Sequence, residues 1–445
     1  MRIAFFVGSF PEISETFILQ QIIGLLDLGH EVDIYSEGRP KDNVPIHQDV
    51  IKYNLLNNIT YLVDNMPEVS AWEMPVWPVS GETWLPGNEK PTSNQSRIED
   101  AAPYLINCLA NNPKLAFEVL DSDEYGMEAN SLSALYRLSI LSGQLKKYDV
   151  IHAHFGPVGN TFRFVKQLWN APLIVTFHGY DFSSYPKLHH HGVYNKLFAE
   201  VDIVTVNSRF AAGCISKLGC LADKIFQLNV GLNIKDFSFH KRGLGNNETV
   251  RILTVGRLVE KKGFDTSIRS MAKVVEKYPL VQYHIIGEGI MRPIIFQLIK
   301  ELKLENNVTL LGSRDASYVQ QLMSKAHLFI LASQTSLNGD QEGTPVSLME
   351  ASASGLPVIS SLHSGIPEII KDSFSGFLVP EGDVDALAER IIYLIDHPDI
   401  WPEMGLHGRI HIEQHYDINM LNNHLVDIYK IAIDKFQSSN NSLIN

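Results

Sequence analysis

The sequence predicts an α/β chain made of two Rossmann-like units, each a parallel sheet flanked by helices. Three observations carry that expectation. The 445 residues exceed what one core holds, and with 45% of them hydrophobic there is enough apolar material for two. Short apolar runs alternate with stretches of helical periodicity along most of the chain. The alternation stops at the polar run Lys241–Thr249, which contains Gly243, Gly245, Asn246 and Asn247, and then begins again. That run is read as the linker between units.

In the first unit, Ile3–Val7 is a buried strand and Gly8 a tight turn. Phe17, Ile18, Ile22, Leu25 and Leu26 fall at helical spacing, with Gly29 as the stop, and Val32–Tyr35 is the next strand. The opening βαβ unit lacks G-x-G-x-x-G, which counts against a dinucleotide enzyme. Ser14 and Glu15 stand where the helix begins and suit its start. Residues 55–135 differ in character. Trp72, Trp77 and Trp84 are interleaved with Pro67, Pro75, Pro78, Pro86 and Pro91. They read as a long irregular loop or lid rather than core, either covering a substrate, touching lipid through its rings, or packed on its own domain.

Strand patterning resumes at Val150–Phe155, with a helix near 158–169 and a strand at Leu173–Phe177 running into His178-Gly179-Tyr180-Asp181. A histidine ending a parallel strand sits at the ligand edge of the sheet; the plainer alternative is a hydrogen-bonded loop histidine. His154 ends the neighbouring strand. His189, His190 and His191 are consecutive, do not share a face, and read as solvated loop rather than metal site. Val201–Ser208 and Ile225–Gly231 complete this half.

The second unit opens with Ile252–Val255 and the loop Gly256–Phe264. Two cations five apart on a glycine-bounded loop, Arg257 and Lys262, can clamp two phosphates, Arg257 as a fork and Lys262 as a point charge. A solvated basic loop is the alternative. Strands follow at Ile285–Ile286, Val308–Leu311 and Leu328–Leu331. The stretch Glu342–Pro357 then carries both ends of a helix. Thr344 is placed to accept from a first-turn N–H, Pro345 suits the first helical position, Gly355 suits the stop and Pro357 prevents resumption. The helix start, at Gly343–Thr344–Pro345, falls at the carboxyl end of a sheet, where anions bind. Glu342 and Glu350 are eight positions apart, roughly 12 Å along a helix. A retaining glycosidase pair is about 5–5.5 Å apart. Two carboxylates reaching different parts of one extended ligand fit better, with a cap-region and a surface glutamate as the alternative. The last helix, around 417–436, is amphipathic.

A net charge of −13 argues against nucleic acid as the main partner. Cys108, Cys214 and Cys220 form no metal-ligand pattern and suit a reducing compartment. No secretory pattern opens the sequence, and no run reaches the ~18–20 apolar residues of a membrane span. A cytoplasmic protein is expected, with peripheral contact at the inner face of the membrane left open. Asp121-Ser122-Asp123 and Asp383-Val384-Asp385 have the Asp-x-Asp spacing of metal-dependent transferases. The first lies in the irregular insertion and the second starts a helix, so neither is read as a metal site.

Glu342–Pro357, with His363-Ser364-Gly365-Ile366-Pro367-Glu368, Gly376–Val379 and the early Phe10–Ile18, resembles the retaining glycosyltransferases of family 4 with their Glu-x7-Glu signature. Within them it is most similar to enzymes of exopolysaccharide assembly of the colanic acid type. The resemblance implies a GT-B fold, with two Rossmann-like domains facing a cleft. Residues 1–235 would form the acceptor-side domain, joined by a C-terminal helix of about 415–445 that crosses back, and 248–414 the donor domain. It implies retaining transfer of a hexose from a nucleotide diphosphate sugar to a saccharide or lipid-linked saccharide, without metal or cofactor. Arg257 and Lys262 would bind the diphosphate, with Gly343, Thr344 and Pro345 at the helix start beside it. Glu350 would bind the ribose, Glu342 the sugar, and His178 would line the sugar's other face. Gly8 would let backbone approach the diphosphate, although the family often has two glycines where this chain has Gly8-Ser9. Ser14, Glu15 and His154 would stand toward the acceptor. A nucleotide-sugar epimerase of the same fold and an inactive saccharide-binding partner are the alternatives. A phosphorylase would need a cofactor lysine that is not identified.

Overall fold

The computed structural model describes residues 1–12, 15–40, 46–67, 94–144, 146–246 and 248–444, with no side chains described for 94–98 and 442–444. The first sheet consists of β1 (Arg2–Ser9), β2 (Glu31–Gly38), β3 (Ile59–Tyr61), β4 (Val150–His154), β5 (Leu173–Phe177), β6 (Ile203–Val206) and β7 (Ile225–Gln227). The second consists of β8 (Arg251–Val255), β9 (Gln282–Ile286), β10 (Val308–Gly312), β11 (Leu328–Leu331), β12 (Val358–Ser361) and β13 (Gly376–Val379). Strand order is β3-β2-β1-β4-β5-β6-β7 in one and β10-β9-β8-β11-β12-β13 in the other, with every pairing parallel. The direction of strand addition reverses between β1 and β4, and between β8 and β11. At such a switch point the flanking loops part at the carboxyl ends and leave a crevice. Both crevices contribute to the cleft described below.

Alternation along each strand sends side chains to opposite faces. Ile3, Phe5 and Val7 face the helix Thr16–Asp27 and the last helix, Ile418–Ile444, whose Leu421, Leu425, Ile428 and Tyr429 complete that core. Ala4 and Phe6 face the other way. The C-terminal helix therefore returns to the first domain, giving the two-domain GT-B arrangement. The chain crosses over near Leu228–Phe237 and returns near Tyr416–Ile418, and the two crossings are hydrogen-bonded side by side. Leu232 N donates to Tyr416 O at 2.7 Å and Ile418 N to Leu232 O at 3.0 Å.

Several local expectations are corrected. The turn after β1 comes later than Gly8, because Ser9 still pairs with Gly38. The run Lys241–Thr249 is not a free linker. Arg242 is buried in it and donates to the carbonyls of Ser324, Ala326 and Ser354, pinning the run to the second domain. The crossover lies upstream, where Val230, Leu232, Ile234 and Phe237 are apolar and pack on that domain. Within 55–135, β3 and the helices Asn94–Asn111, Pro113–Val119, Ser122–Tyr125 and Met127–Asn130 are regular structure. Ala101 and Cys108, with Tyr104 and Leu105 between, fall on one helical face and join the core, as do Leu115, Ala116 and Val119. Trp72, Trp77 and Trp84 lie outside the described residues, as does Ser14. Among the described residues no helix is long and apolar enough to cross a membrane.

Candidate functional site

The carboxyl ends of the two sheets face each other across a cleft of ≈ 340 Å³. The first domain contributes Gly8 and Ser9 after β1, Glu15 and Phe17 from the first helix, Phe155 after β4, and His178–Asp181 after β5. The second contributes Gly256, Arg257, Lys261 and Lys262 after β8, and Asp340 with Glu342–Ser347 after β11. The residues expected from sequence therefore converge from separate loops, with exceptions given below.

The helix that carries Glu350 runs Val346–Ala353, and Glu342 lies on the loop before it. Pro345, not Thr344, occupies its N-cap, at φ −73° and ψ 105°, and no side chain caps it. The cap thus falls one residue later than expected, and Thr344, just before it, stands at the cleft. The N–H groups of Gly343 and Thr344 have no partner among the described residues. With the first-turn N–H of Val346, they turn the positive end of the helix toward the cleft. The stop is as expected: Gly355 has φ +79°, and Gly355 N and Leu356 N donate back to Ser352 O and Ala351 O.

Lys262 Nζ lies 2.5 Å from Glu342 Oε2, with both side chains about 10% exposed. Burial raises the cost of both charges. Lys262 and Lys261 outweigh it at the Glu342 carboxyl, which is held down to about 2. The Lys262 ammonium has its own pKa lowered, by burial first and then by the neighbouring Lys261 and Arg257 against the pull of Glu342. Lys261 is paired with Asp340 at 3.0 Å. The Arg257 guanidinium has no hydrogen bond or ion pair among the described residues. Three cations thus meet two carboxylates, leaving Arg257 available to an anion. Opposite it, burial pushes the half-buried Glu15 carboxyl up to about 8, helped by Glu12 and opposed by Arg257. Glu15 stands at the N-cap of the first helix but its side chain makes no capping bond. Glu350, one turn into its helix, does not line the cleft. Its carboxyl has no partner among the described residues, and burial pushes it up to about 7.

His178 lines the cleft between Phe17 and Phe155, ring centroids 4.6 and 4.5 Å away. Its Nε2 is 3.1 Å from His154 Nδ1. His154 does not line the cleft; its ring stacks on that of His178 and lies tilted 4.4 Å from His152, whose nitrogens meet Tyr429 Oη at 2.7 Å and Thr176 Oγ1 at 2.6 Å. His154 is thus a support for His178 and stands behind it. Burial lowers all three imidazoles, His152 and His178 to about 3 and His154 well below its ordinary value. They stay neutral at pH 7, so the row offers hydrogen bonds and an apolar surface rather than charge. The unfolded chain takes up these protons first as pH falls below 6.5, so the row stabilises the fold above that value and loses this contribution as pH falls toward 3. Proton NMR of the ring resonances is expected to show His152 and His178 unmoved between pH 5 and 8, whereas a midpoint near 6.5 would contradict the buried row.

Sequence reading passed over Asp181, whose buried carboxylate accepts from the N–H groups of Gly156, His178 and Gly179 and so fixes the His178 loop. It also passed over Asn207, which donates to His178 O at 3.0 Å, and the Lys261–Asp340 pair. Asp181 had a local signal, three residues after the strand-ending histidine. Asp340 had none. The Asp-x-Asp carboxylates at Asp121 and Asp383 cap their helices, accepting from Asp123 N and Ala386 N. Among the described residues no group of three His, Cys, Asp or Glu could hold a metal ion.

Residues 236–405 match the family model for glycosyl transferases group 1, and residues 114–231 that for the glycosyl transferase 4-like domain. The chain is 32% identical to WcaL of Escherichia coli, named provisionally as a colanic acid biosynthesis glycosyltransferase, across 96% of this chain and 99% of that one. It is 31% identical to the amylovoran biosynthesis glycosyltransferase AmsK of Erwinia amylovora, over 96% and 99% of the two chains. Its fold is similar to that of the Anabaena protein HepE solved with UDP and glucose, with TM-score 0.66, 16% identity, and 97% and 99% of the chains covered. It is also similar to sucrose-phosphate synthase from Thermosynechococcus elongatus, with TM-score 0.67, 20% identity, and 98% and 100% covered.

Proposed function

The chain belongs to the glycosyltransferases of the group 1 and 4-like type, and from that premise we propose that it moves a hexose from a nucleotide diphosphate sugar to a saccharide or lipid-linked saccharide acceptor, with retained anomeric configuration, in cytoplasmic assembly of an exopolysaccharide. One observation supports this above the rest: an unpaired Arg257, the Lys262–Glu342 pair and the free N–H groups of Gly343 and Thr344 border one cleft. That set suits a diphosphate with a sugar attached. The names of the full-length relatives, for colanic acid and amylovoran biosynthesis, support the pathway class.

In this reading the acceptor hydroxyl attacks the anomeric carbon as the bond from that carbon to the diphosphate oxygen breaks. Negative charge grows on the leaving diphosphate, and Arg257, Lys262 and the helix start at Gly343–Thr344 stabilise it. The acceptor proton passes to the departing phosphate oxygen on the same face. Glu342, released from Lys262 as the diphosphate takes that cation, binds sugar hydroxyls. Neutral His178 covers the other side of the ring, and the ribose, extending past Ser347 at the edge of the cleft, donates its hydroxyl hydrogen bonds to Glu350 one turn farther along the helix. The two cations neutralise the diphosphate, so turnover is expected to persist in chelator. Glu15 and Ser14 are assigned to the acceptor side.

Incubation with UDP-, GDP- and ADP-linked hexoses and a saccharide acceptor, read by nucleoside diphosphate release and NMR of the new glycosidic bond, tests the reading. One nucleotide class is expected to give a product with the donor's anomeric configuration. An inverted product would overturn retention, and absence of both release and product would overturn the transferase reading. Glu350→Ala is expected to weaken donor binding by roughly ten-fold, about 1.4 kcal/mol, in an equilibrium titration. Unchanged affinity would remove Glu350 from the donor site.

A further inference from the structure

Behind Glu342 lies a brace that the transferase reading does not use. His363, 1% exposed, follows β12, and Glu381 follows β13. His363 Nε2 lies 3.0 Å from the backbone N of Glu342, and His363 Nδ1 lies 2.6 Å from Glu381 Oε1. The other Glu381 oxygen accepts from Thr335 N at 2.7 Å, back on the loop that leads from β11 to Glu342. Three loops at the carboxyl edge of the second sheet are therefore closed into a ring of hydrogen bonds. The chemistry fixes one tautomer. A backbone N–H can only donate, so Nε2 is bare, and Nδ1 carries the hydrogen that it gives to Glu381.

We propose that His363 and Glu381 are positioning residues for Glu342, holding the loop that presents its carboxylate, and the Gly343 and Thr344 N–H groups beside it, to the donor. The proposal rests on the transferase reading for the donor and on the hydrogen bonds alone for the brace. Among the described residues no other hydrogen bond reaches the backbone of Glu342 itself, the neighbouring Gln341 being held by Ser183 and Lys261, and its side chain is paired only with Lys262, which must let go when a diphosphate arrives. A loop that exchanges its side-chain partner during each turnover needs its backbone held independently. The neutral imidazole accepting from the Glu342 N–H, backed by a carboxylate, meets that need without adding a cation that would compete with Lys262. Burial raises the Glu381 carboxyl, but the bonds from His363 and Thr335 outweigh it and keep it ionised.

The test compares wild type with His363→Leu, His363→Gln and Glu381→Ala. Two readouts are used: amide hydrogen exchange at Glu342, and kcat and KM for the best donor from a panel of UDP-glucose, UDP-galactose, GDP-mannose and ADP-glucose. In His363→Leu the Glu342 amide is expected to exchange at least ~10-fold faster, with kcat down roughly 10- to 100-fold and donor KM changed by less than about three-fold. Glutamine places an amide oxygen near the lost Nε2, so His363→Gln restores protection and a large part of kcat. Glu381→Ala lies between. Unchanged Glu342 exchange in His363→Leu overturns the brace whatever the turnover. Faster exchange with wild-type kcat overturns its role in positioning. If wild type turns over none of the panel, the transferase reading fails while the exchange measurement still decides the brace. A fall in melting temperature that His363→Gln shares, with no recovery of kcat, assigns the histidine to stability alone and overturns the proposal.

Discussion

Replacing Gly343 with alanine is expected to give a folded protein that has lost most of its transfer activity. Gly343 does not use the left-handed backbone region, so alanine imposes no local strain. The obstacle is the other domain. A Cβ there would stand 1.9 Å from the carbonyl oxygen of His178 and 2.9 Å from Asn207 Nδ2. The carbonyl cannot yield easily, because Asn207 holds it and Asp181 holds the N–H of the same residue. The domains must separate by about 1 Å or more, and a misplacement of that size costs on the order of 100-fold in rate. Each domain keeps its own core, so the melting temperature should hold within a few degrees. Turnover equal to wild type would show that the contact between Gly343 and His178 is absent from the reactive state.

The second large effect is expected for Lys262→Ala. Loss of the ammonium removes charge stabilisation from the leaving diphosphate, a change that typically costs 10²–10³-fold in kcat, about 2.7–4 kcal/mol. It also leaves Glu342 buried without its closest partner. Breaking a buried pair from one side destabilises by ~3–5 kcal/mol, and Lys261 nearby puts this case at the lower end. The pH dependence follows from the carboxyl's depression from 4.5 to about 2. That stabilisation is complete above 4.5 and lost as pH falls toward 2. The stability gap between wild type and Lys262→Ala should therefore be widest near pH 7 and shrink below about pH 4. Denaturant melts across that range check it. Lys262→Met combined with Glu342→Gln should recover stability and remain inactive. An equally unstable double variant would show that the pair is not the cause.

The strands were the most legible part of the chain. A parallel strand covered on both faces reads as a near-continuous apolar run, and Leu328–Leu331 and Leu173–Phe177, the latter broken only by Thr176, are such runs with those bounds in the structure. The helix stop at Gly355 was legible because glycine at a left-handed position has a single physical reason. Its start was not. Proline precedes the helix in either register, and in the structure Pro345 itself is the cap, with Thr344 one residue before it. The insertion misled in another way. Prolines and tryptophans at 67–91 coloured the reading of residues 94–135, where small and polar residues hide a helical stripe of Ala101, Leu105 and Cys108. At the site, Arg257, Lys262, Glu342 and His178 could be picked out because each ends a strand or borders a glycine. That Lys262 would be paired with Glu342, and His154 sequestered behind His178, depends on which strands lie side by side in each sheet, β8 beside β11 and β4 beside β5. His363 and Glu381 are 18 positions apart and meet only when two adjacent strands are in register.

The central claim is that the cleft between the sheets binds a nucleoside diphosphate sugar through Arg257 and Lys262. Calorimetric titration of purified protein with UDP-, GDP- and ADP-linked hexoses, in the presence of chelator, tests it most directly. One nucleotide class should bind, with affinity at least ~10-fold weaker in Arg257→Ala. Binding of equal strength in Arg257→Ala, or binding abolished by chelator alone, would contradict it.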